Sequence, residues 1–441
     1  MSATAKADRT YRKIINSWAM YDWANSAFAT TIMAAMFPPF YRSLAVAAGV
    51  TEASATAAWA YTASIYQVIV ALLAPVLGAI SDHTGGKKWF LAFFAGMGIL
   101  GTGLFVVLGD DSYVLGSILY IIGAVGFSGA NVFYESLLPH IAKKGDIDQV
   151  STRGYALGYL GGGILLIINM LWYMQPDLFF MPGEGFALRA AFFSVSVWWA
   201  LFSIPLFRNV PEPPVVRTVD RAVNVVSAGF ARLIHTFRRM TNYKQLLLFL
   251  VAFWIYNNGI GTIITMATAY GDEIGIELTD MVIALIITQF VGIPFSFAFG
   301  ALAKRLKAKR SILLALIVYT LISIAGYFMQ NATHFYILAF MVGTVQGGSQ
   351  ALSRSLYGAM VPKSQTAEFF GFYSTSSKIA GVLGPLLFGV VSTLAGESRL
   401  SIISLIIFFL VGGLLLLRVN VEEGVRVARE EDAAFGWEAA S

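Results

Sequence analysis

Four ionisable side chains stand inside stretches of sequence otherwise too apolar to carry them: Asp22, Glu135, Arg354 and Lys378. An ionisable group held in hydrocarbon costs about 2.5–3.5 kcal/mol on insertion scales, so each needs a reason to be there. Asp22 shares a helix face with Asn25 and Ser26, three and four residues further on. A carboxyl group in that setting can exchange its charge for a proton and carry it past a barrier. The alternative is a hydrogen-bonded structural aspartate. Arg354 lies among Gln346, Gln350, Ser353 and Ser355. Its planar guanidinium suits a substrate carboxylate or phosphate, or an interhelix pair with Asp22 or Glu135. Lys378 lies too deep in its stretch for easy snorkelling, which makes it a candidate for substrate or counter-ion contact. Asn257 and Asn258 can hydrogen-bond substrate or join helices. The candidate substrate and coupling set is therefore Asp22, Asn25, Asn131, Glu135, Asn257, Asn258, Gln346, Gln350, Arg354 and Lys378.

Other chemistries find no constellation. There is no cysteine, hence no thiolate ligand or thiol nucleophile. The four histidines, His83, His140, His235 and His334, are scattered, which excludes a recognisable metal cluster. Gly96-Met-Gly98-Ile-Leu-Gly101 matches a dinucleotide fingerprint literally, but no strand precedes it and helix packing is the better reading. No P-loop is present, and no polar stretch is long enough for a nucleotide-hydrolysing domain. The expectation is a protein that is not an enzyme, needs no cofactor and binds no nucleic acid.

The elements that position these residues are membrane spans. Apolar residues make up 57% of the 441 and charged residues 12%. Soluble domains carry about 25% charge, so lipid is the solvent this composition fits. Twelve stretches reach the roughly 20 residues a span needs. They cover about residues 18–41, 57–81, 88–108, 113–141, 153–174, 187–207, 245–270, 279–301, 311–329, 335–361, 368–394 and 400–418. The first is too long for a signal peptide and is expected to stay in the mature chain. Aromatic residues near span ends, among them Tyr41, Trp172, Trp198 and Trp199, are expected in the lipid interface belt.

Lys and Arg orient the spans. The N-terminus carries Lys6, Arg9, Arg12 and Lys13, and every second connection is basic: Lys87/Lys88, Lys143/Lys144, the 208–244 segment, and Lys304 through Arg310. The alternate connections hold acids such as Asp110, Asp111, Asp272, Glu273 and Asp280. Both termini are thus expected in the cytoplasm. Segment 208–244 divides the spans six and six. After Pro211, Pro213 and Pro214 its apolar residues recur at three- and four-residue steps between arginines, as in a helix lying on the cytoplasmic lipid surface. The expected organisation is a six-helix bundle over 1–207, the basic linker over 208–244, a second bundle over 245–418 and a cytoplasmic tail over 419–441.

The two halves echo each other. Gly78-Ala-Ile-Ser-Asp82…Lys87-Lys88 aligns with Gly300-Ala-Leu-Ala-Lys304…Lys309-Arg310, and Gln67 and Gln289 precede them at equal distance. Asn131-Val-Phe-Tyr134-Glu135…Pro139 aligns with Arg354-Ser-Leu-Tyr357-Gly…Pro362. Parallel six-span repeats enclose a site at mid-membrane and suit alternating access. Gly154, Gly158 and Gly162 stand four apart, which is close-packing spacing, while Gly381, Gly384 and Pro385 predict a bend in span eleven.

Gly78…Asp82-His83-Thr84-Gly85-Gly86-Lys87-Lys88 resembles the signature loop of the major facilitator superfamily, with His83 where Arg is usual. The resemblance implies a gating loop (Gly78, Asp82, Lys87, Lys88) that latches the halves on the cytoplasmic side, Asp82 being its key acid. Tyr21-Asp22-Trp23-Ala24-Asn25-Ser26-Ala27-Phe28 resembles the hallmark of the autophagy-related vacuolar effluxer-like branch. So do Tyr256-Asn257-Asn258-Gly259-Ile260, the stretch from Gln346 to Leu356, and Phe369-Phe370-Gly371-Phe372-Tyr373. Span seven departs from that pattern, since its Asn pair lacks an expected acid.

The resulting expectation is an all-α membrane protein with twelve transmembrane helices in two pseudo-symmetric six-helix bundles, the major facilitator fold. Its expected function is secondary active transport of a small polar or zwitterionic, amino-acid-like solute, with a proton or sodium as coupling ion. Efflux is implied by the resemblance alone. The expected setting is the lipid bilayer of a bacterial cytoplasmic membrane, and the expected state a monomer. The alternatives are a lipid or amphipathic-drug exporter of the same fold, and a non-transporting receptor or scaffold.

Overall fold

The computed structural model describes residues 3–143, 145–214, 243–380, 387–388, 390–391 and 398–434. The expected surface helix of the linker, the Gly381–Pro385 bend and the Lys378 side chain lie outside the described residues.

The described chain is helical almost throughout. Span two runs Glu52–Thr84, span three Lys87–Gly103, span four Tyr113–Ile141, span five Ile147–Met174 and span six Glu184–Asn209. Span seven is Lys244–Glu273, span eight Leu278–Leu306, span nine Ala308–Tyr327 and span ten Ala332–Met360. Span eleven begins as Thr366–Ala380, and span twelve comprises Ser398–Ser404 and Ile406–Arg418. A further helix, Val421–Ala434, follows where a tail was expected. Among the described residues, nine helices are long and apolar enough to cross a membrane. Spans one, ten and eleven fall outside those nine. Span ten is diluted by its polar run from Gln346 to Ser355, and span eleven is only partly described.

Span one is built from Ala3–Ala27, a π-helical stretch Phe28–Met36, and Phe37–Ala47. The wider turns end where Pro38 and Pro39 begin the last segment, since proline donates no N–H to an α-helical ladder. The helix starts well before the apolar run does, because hydrogen bonding continues through the basic N-terminal segment beyond any lipid boundary.

By its contacts the chain divides into two compact units. The first comprises Met1–Leu72, Gly86–Tyr134 and Leu157–Glu212; the second comprises Leu73–Gly85, Glu135–Ala156 and Pro213–Ser441. Spans two, four and five each contribute one end to the second unit.

The first unit packs around aromatic rings. Phe37 stacks on Phe105 at 4.3 Å and on Tyr120 at 5.4 Å, and Phe28 meets Phe127 and Trp199. Lipid tails are as apolar as these rings, so close fit and hydrogen bonding, not exclusion of water, hold such helices together. The interface-belt expectation fails for two residues. Trp199 is 0% exposed and Tyr41 1%, with the Tyr41 hydroxyl 2.8 Å from Ser117 Oγ. Depth along a span is readable from sequence, but the rotation that turns a ring towards lipid or towards a neighbour is not.

Candidate functional site

Asp22 sits one turn after Trp18 on span one. The Tyr134 hydroxyl, from span four, donates to Asp22 Oδ2 at 2.8 Å. Tyr134 is itself clamped: Trp18 Nε1 donates to its carbonyl oxygen at 3.1 Å, the Trp18 ring stacks on it at 4.5 Å, and the Tyr21 ring leans on it at 4.8 Å. One turn further on, Asn25 Nδ2 donates to Asn131 Oδ1 at 2.6 Å. Spans one and four are therefore tied at two successive turns by four polar side chains. Span five approaches the same face through Gly158, where an added Cβ would stand 2.6 Å from Ser26 Oγ. The glycine spacing in span five is thus a packing device. A hydrogen bond to a charged partner contributes about 1.5–3 kcal/mol, so Tyr134 fixes the rotamer of Asp22. A carboxylate held this way, half-exposed and flanked by aromatic faces, can take up a proton or receive a ligand ammonium group.

The other acid and the arginine lie in the second unit. Arg354 is 1% exposed. Its Nε donates to Ser151 Oγ and its Nη2 to the Ser151 carbonyl, both at 2.9 Å. Its Nη1 lies 3.9 Å from Glu135 Oε1, and its Cζ sits 4.5 Å over the Tyr155 ring. The Ser151 hydroxyl donates a hydrogen bond to the Ala351 carbonyl, and the next residue of span ten, Ser355, donates to Asp148 Oδ1. The guanidinium joins span ten to spans four and five.

The signature loop does the same for spans two and eleven. The Asp82 carboxylate accepts from Ala367 N at 3.2 Å and Glu368 N at 2.7 Å. These amides open span eleven, where a helix leaves unsatisfied N–H groups and a partial positive charge. An added Cβ on Gly78 would lie 2.3 Å from the Ala367 carbonyl oxygen, so glycine is what allows the two backbones to touch. The repeat partner Gly300 does likewise, with its Cβ position 2.5 Å from Thr152 Oγ1 on span five. Span two on eleven and span eight on five thus form two symmetric closures beside the Arg354 network. All three lie at the helix ends that carry the basic loops.

The lysines of that loop have different work. Span two ends two residues after Asp82, and Gly85 and Gly86 then turn the chain with φ of 79° and 80°, a conformation glycine alone adopts cheaply. Glu212 accepts from Lys87 N at 2.6 Å and Lys88 N at 3.0 Å. Lys88 Nζ caps the end of span six, donating to Phe207 O and Val210 O. In the second half Lys309 Nζ caps span twelve through Leu417 O and Val419 O. A lysine of each repeated basic pair therefore closes a helix C-terminus, which explains why the pair recurs.

Of the remaining candidates, Asn258 is buried and donates to Trp254 O at 2.7 Å within its own helix. Asn257, Gln346 and Gln350 are half-buried. Tyr134, Ser151, Asp148 and Tyr155 were not singled out from sequence as site residues. Tyr134 alone had a signal, its alignment with Tyr357 across the repeat.

Residues 10–429 match the family model described as "Vacuole effluxer Atg22 like". The chain is 38% identical over 425 residues to the uncharacterized MFS-type transporter YxiO of Bacillus subtilis (strain 168), covering 96% of this chain and 99% of that one. It is 24% identical over 455 residues to autophagy-related protein 22-1 of Aspergillus niger, covering 83% and 73%. Among solved structures, the major facilitator proton:xylose symporter XylE superposes with a TM-score of 0.72 at 12% identity, covering 98% of this chain and 100% of that one. The last likeness shows the fold: twelve helices in the major facilitator arrangement.

Proposed function

Since this chain belongs to the vacuole effluxer Atg22-like family of major facilitator transporters, we propose that it exports a small zwitterionic, amino-acid-like solute in exchange for protons. The observation that carries this reading is the Asp22 carboxylate held by the Tyr134 hydroxyl. Asp22 alternates between charged and protonated forms as the six-helix halves, 1–207 and 245–418, rock about the linker. The charged form receives the solute's ammonium group, and Asn25 and Asn131 offer neutral hydrogen bonds beside it. Protonation discharges the site and releases the solute. Asp82, Gly78 and Arg354 hold the cytoplasmic side shut during the outward-facing half of the cycle. The bacterial cytoplasmic membrane, with both termini inside, is the proposed setting.

Reconstituted protein, assayed for flux of a mixed amino-acid panel with and without an imposed pH gradient, tests the reading. Gradient-driven flux of at least one member is expected, and Asp22→Asn is expected to abolish the gradient dependence. Tyr134→Phe removes one charge-assisted hydrogen bond of about 1.5–3 kcal/mol, equivalent to roughly 10- to 100-fold in affinity or rate. Gradient-driven flux that survives Asp22→Asn removes Asp22 from coupling. Absence of flux for every member turns the reading towards a lipid or amphipathic-drug substrate.

A further inference from the structure

Two residues, Val419 and Asn420, separate the end of span twelve from the helix Val421–Ala434. Its outer face carries Glu422, Arg426, Arg429 and Glu430, while Gly424 and Ala428 are buried. Arg426 pairs with Glu423 and Glu430 along that outer face and holds the Glu423 carboxyl below its usual range.

The inner face is docked at three places. At its start, Asn420 N donates to Gln245 Oε1 of span seven at 2.8 Å. In its middle, an added Cβ on Gly424 would lie 2.7 Å from Met360 Sδ, in the last turn of span ten. At its end, the Asp432 carboxylate accepts from Lys363 N at 2.9 Å, from Ser364 N at 3.0 Å and from Ser364 Oγ at 2.9 Å.

Lys363–Gln365 is the turn between spans ten and eleven. The backbone amides that follow it, at Ala367 and Glu368, are those capped by Asp82. The hydroxyl of Thr366, between them, lies 2.9 Å from His140 Nε2. One six-residue segment, 363–368, is therefore held at its first end by a carboxylate from the C-terminal helix and at its second by a carboxylate from span two. Each carboxylate takes two consecutive backbone amides.

We propose that the C-terminal helix is a clamp: by fixing the 10–11 turn through Asp432, it positions the start of span eleven for Asp82 and biases the transporter towards its cytoplasmically closed state. This rests on the reading of the Asp82 contact as a cytoplasmic latch. Without the clamp, the turn is free to carry the start of span eleven away from Asp82, and the latch opens more often.

The chain contains no cysteine, so single introduced thiols report on it directly. Ser81→Cys places a thiol in the buried latch beside Asp82, and Ala428→Cys places one on the buried face of the clamp. Each is made in the full-length protein in proteoliposomes and labelled with a membrane-permeant maleimide, alone and combined with Asp432→Ala, Gly424→Leu or Asp82→Asn. Asp432→Ala is expected to expose the Ala428→Cys thiol and to speed labelling of the Ser81→Cys thiol by about tenfold, the scale of one lost charge-assisted hydrogen bond. Gly424→Leu is expected to act in the same direction. If the Ala428→Cys thiol becomes reactive while the Ser81→Cys rate stays unchanged, and Asp82→Asn does raise that rate, the clamp is wrong and the latch stands. If Asp82→Asn leaves the Ser81→Cys rate unchanged, the latch reading fails and the clamp fails with it. Continued protection of the Ala428→Cys thiol in both clamp variants overturns the docking these contacts are proposed to maintain.

Discussion

Gly78→Val is expected to abolish the contact between span two and the start of span eleven, and to raise solvent access to that region by about a hundredfold. The Cβ of any residue at 78 would meet the Ala367 carbonyl oxygen at 2.3 Å, its carbon at 2.6 Å and Glu368 N at 2.8 Å. All three are backbone atoms and cannot rotate away, so the helices must separate. Overpacking of this kind costs about 1–3 kcal/mol. Separation also withdraws Asp82 from the Ala367 and Glu368 amides, and a carboxylate at a helix N-terminus contributes up to ~2 kcal/mol in partly buried geometry. Together these reach about 3 kcal/mol, or two decades in an equilibrium constant. Maleimide labelling of a Ser81→Cys thiol reads the shift, and monodispersity in detergent checks that the variant folds. Gly78→Ala is expected to act in the same direction and less strongly. Labelling at the wild-type rate in both variants would mean that the helices do not need this contact.

The second large effect is expected at Arg354, and here on stability. Removing one partner from a buried charge network costs about 3–5 kcal/mol, because the other partner is left uncompensated. In Arg354→Ala those partners are Glu135, the Ser151 carbonyl and the Ser151 hydroxyl. The apparent unfolding temperature in detergent is expected to fall by roughly 5–10 °C, the shift that a few kcal/mol produces in a large chain. Arg354→Lys is expected not to rescue it, since a single ammonium cannot fork across the serine oxygens while stacking on Tyr155. Arg354→Met combined with Glu135→Met is expected to recover part of the loss, because replacing both members of a buried pair leaves no lone charge. If Arg354→Ala melts as wild type but loses flux, the guanidinium serves the substrate and not the packing.

Much of this architecture is legible in the sequence. Hydropathy accumulates locally along the chain, so span count and the positions of the buried ionisable residues follow from composition within short windows. The repeat of Gly78–Lys88 at Gly300–Arg310 marked both close helix contacts as equivalent positions and aligned the two basic pairs, although the capping lysines, Lys88 and Lys309, stand one position out of register within them. It did not say what each of them touches.

Partner choice lay beyond reach of the sequence. Arg354 has Asp22 and Glu135 as candidate partners from sequence; Glu135 is within reach, and Ser151, a residue with no charge to advertise it, also accepts two of its hydrogen bonds. Asp22 is gripped by Tyr134, 112 positions away. Trp199 and Tyr41 carried the signature of interfacial aromatics and are buried in helix contacts. The segment after span twelve, expected as a cytoplasmic tail, forms a helix whose Asp432 accepts from a turn 68 and 69 positions earlier, a contact that nothing in its own sequence marks. The physical reason is common to all four. Depth in the membrane is a property of position along one helix, and a chain carries that information in order. Which neighbour a side chain meets depends on how each helix is rotated and how closely the glycines let it approach, and only the packed helices together decide that.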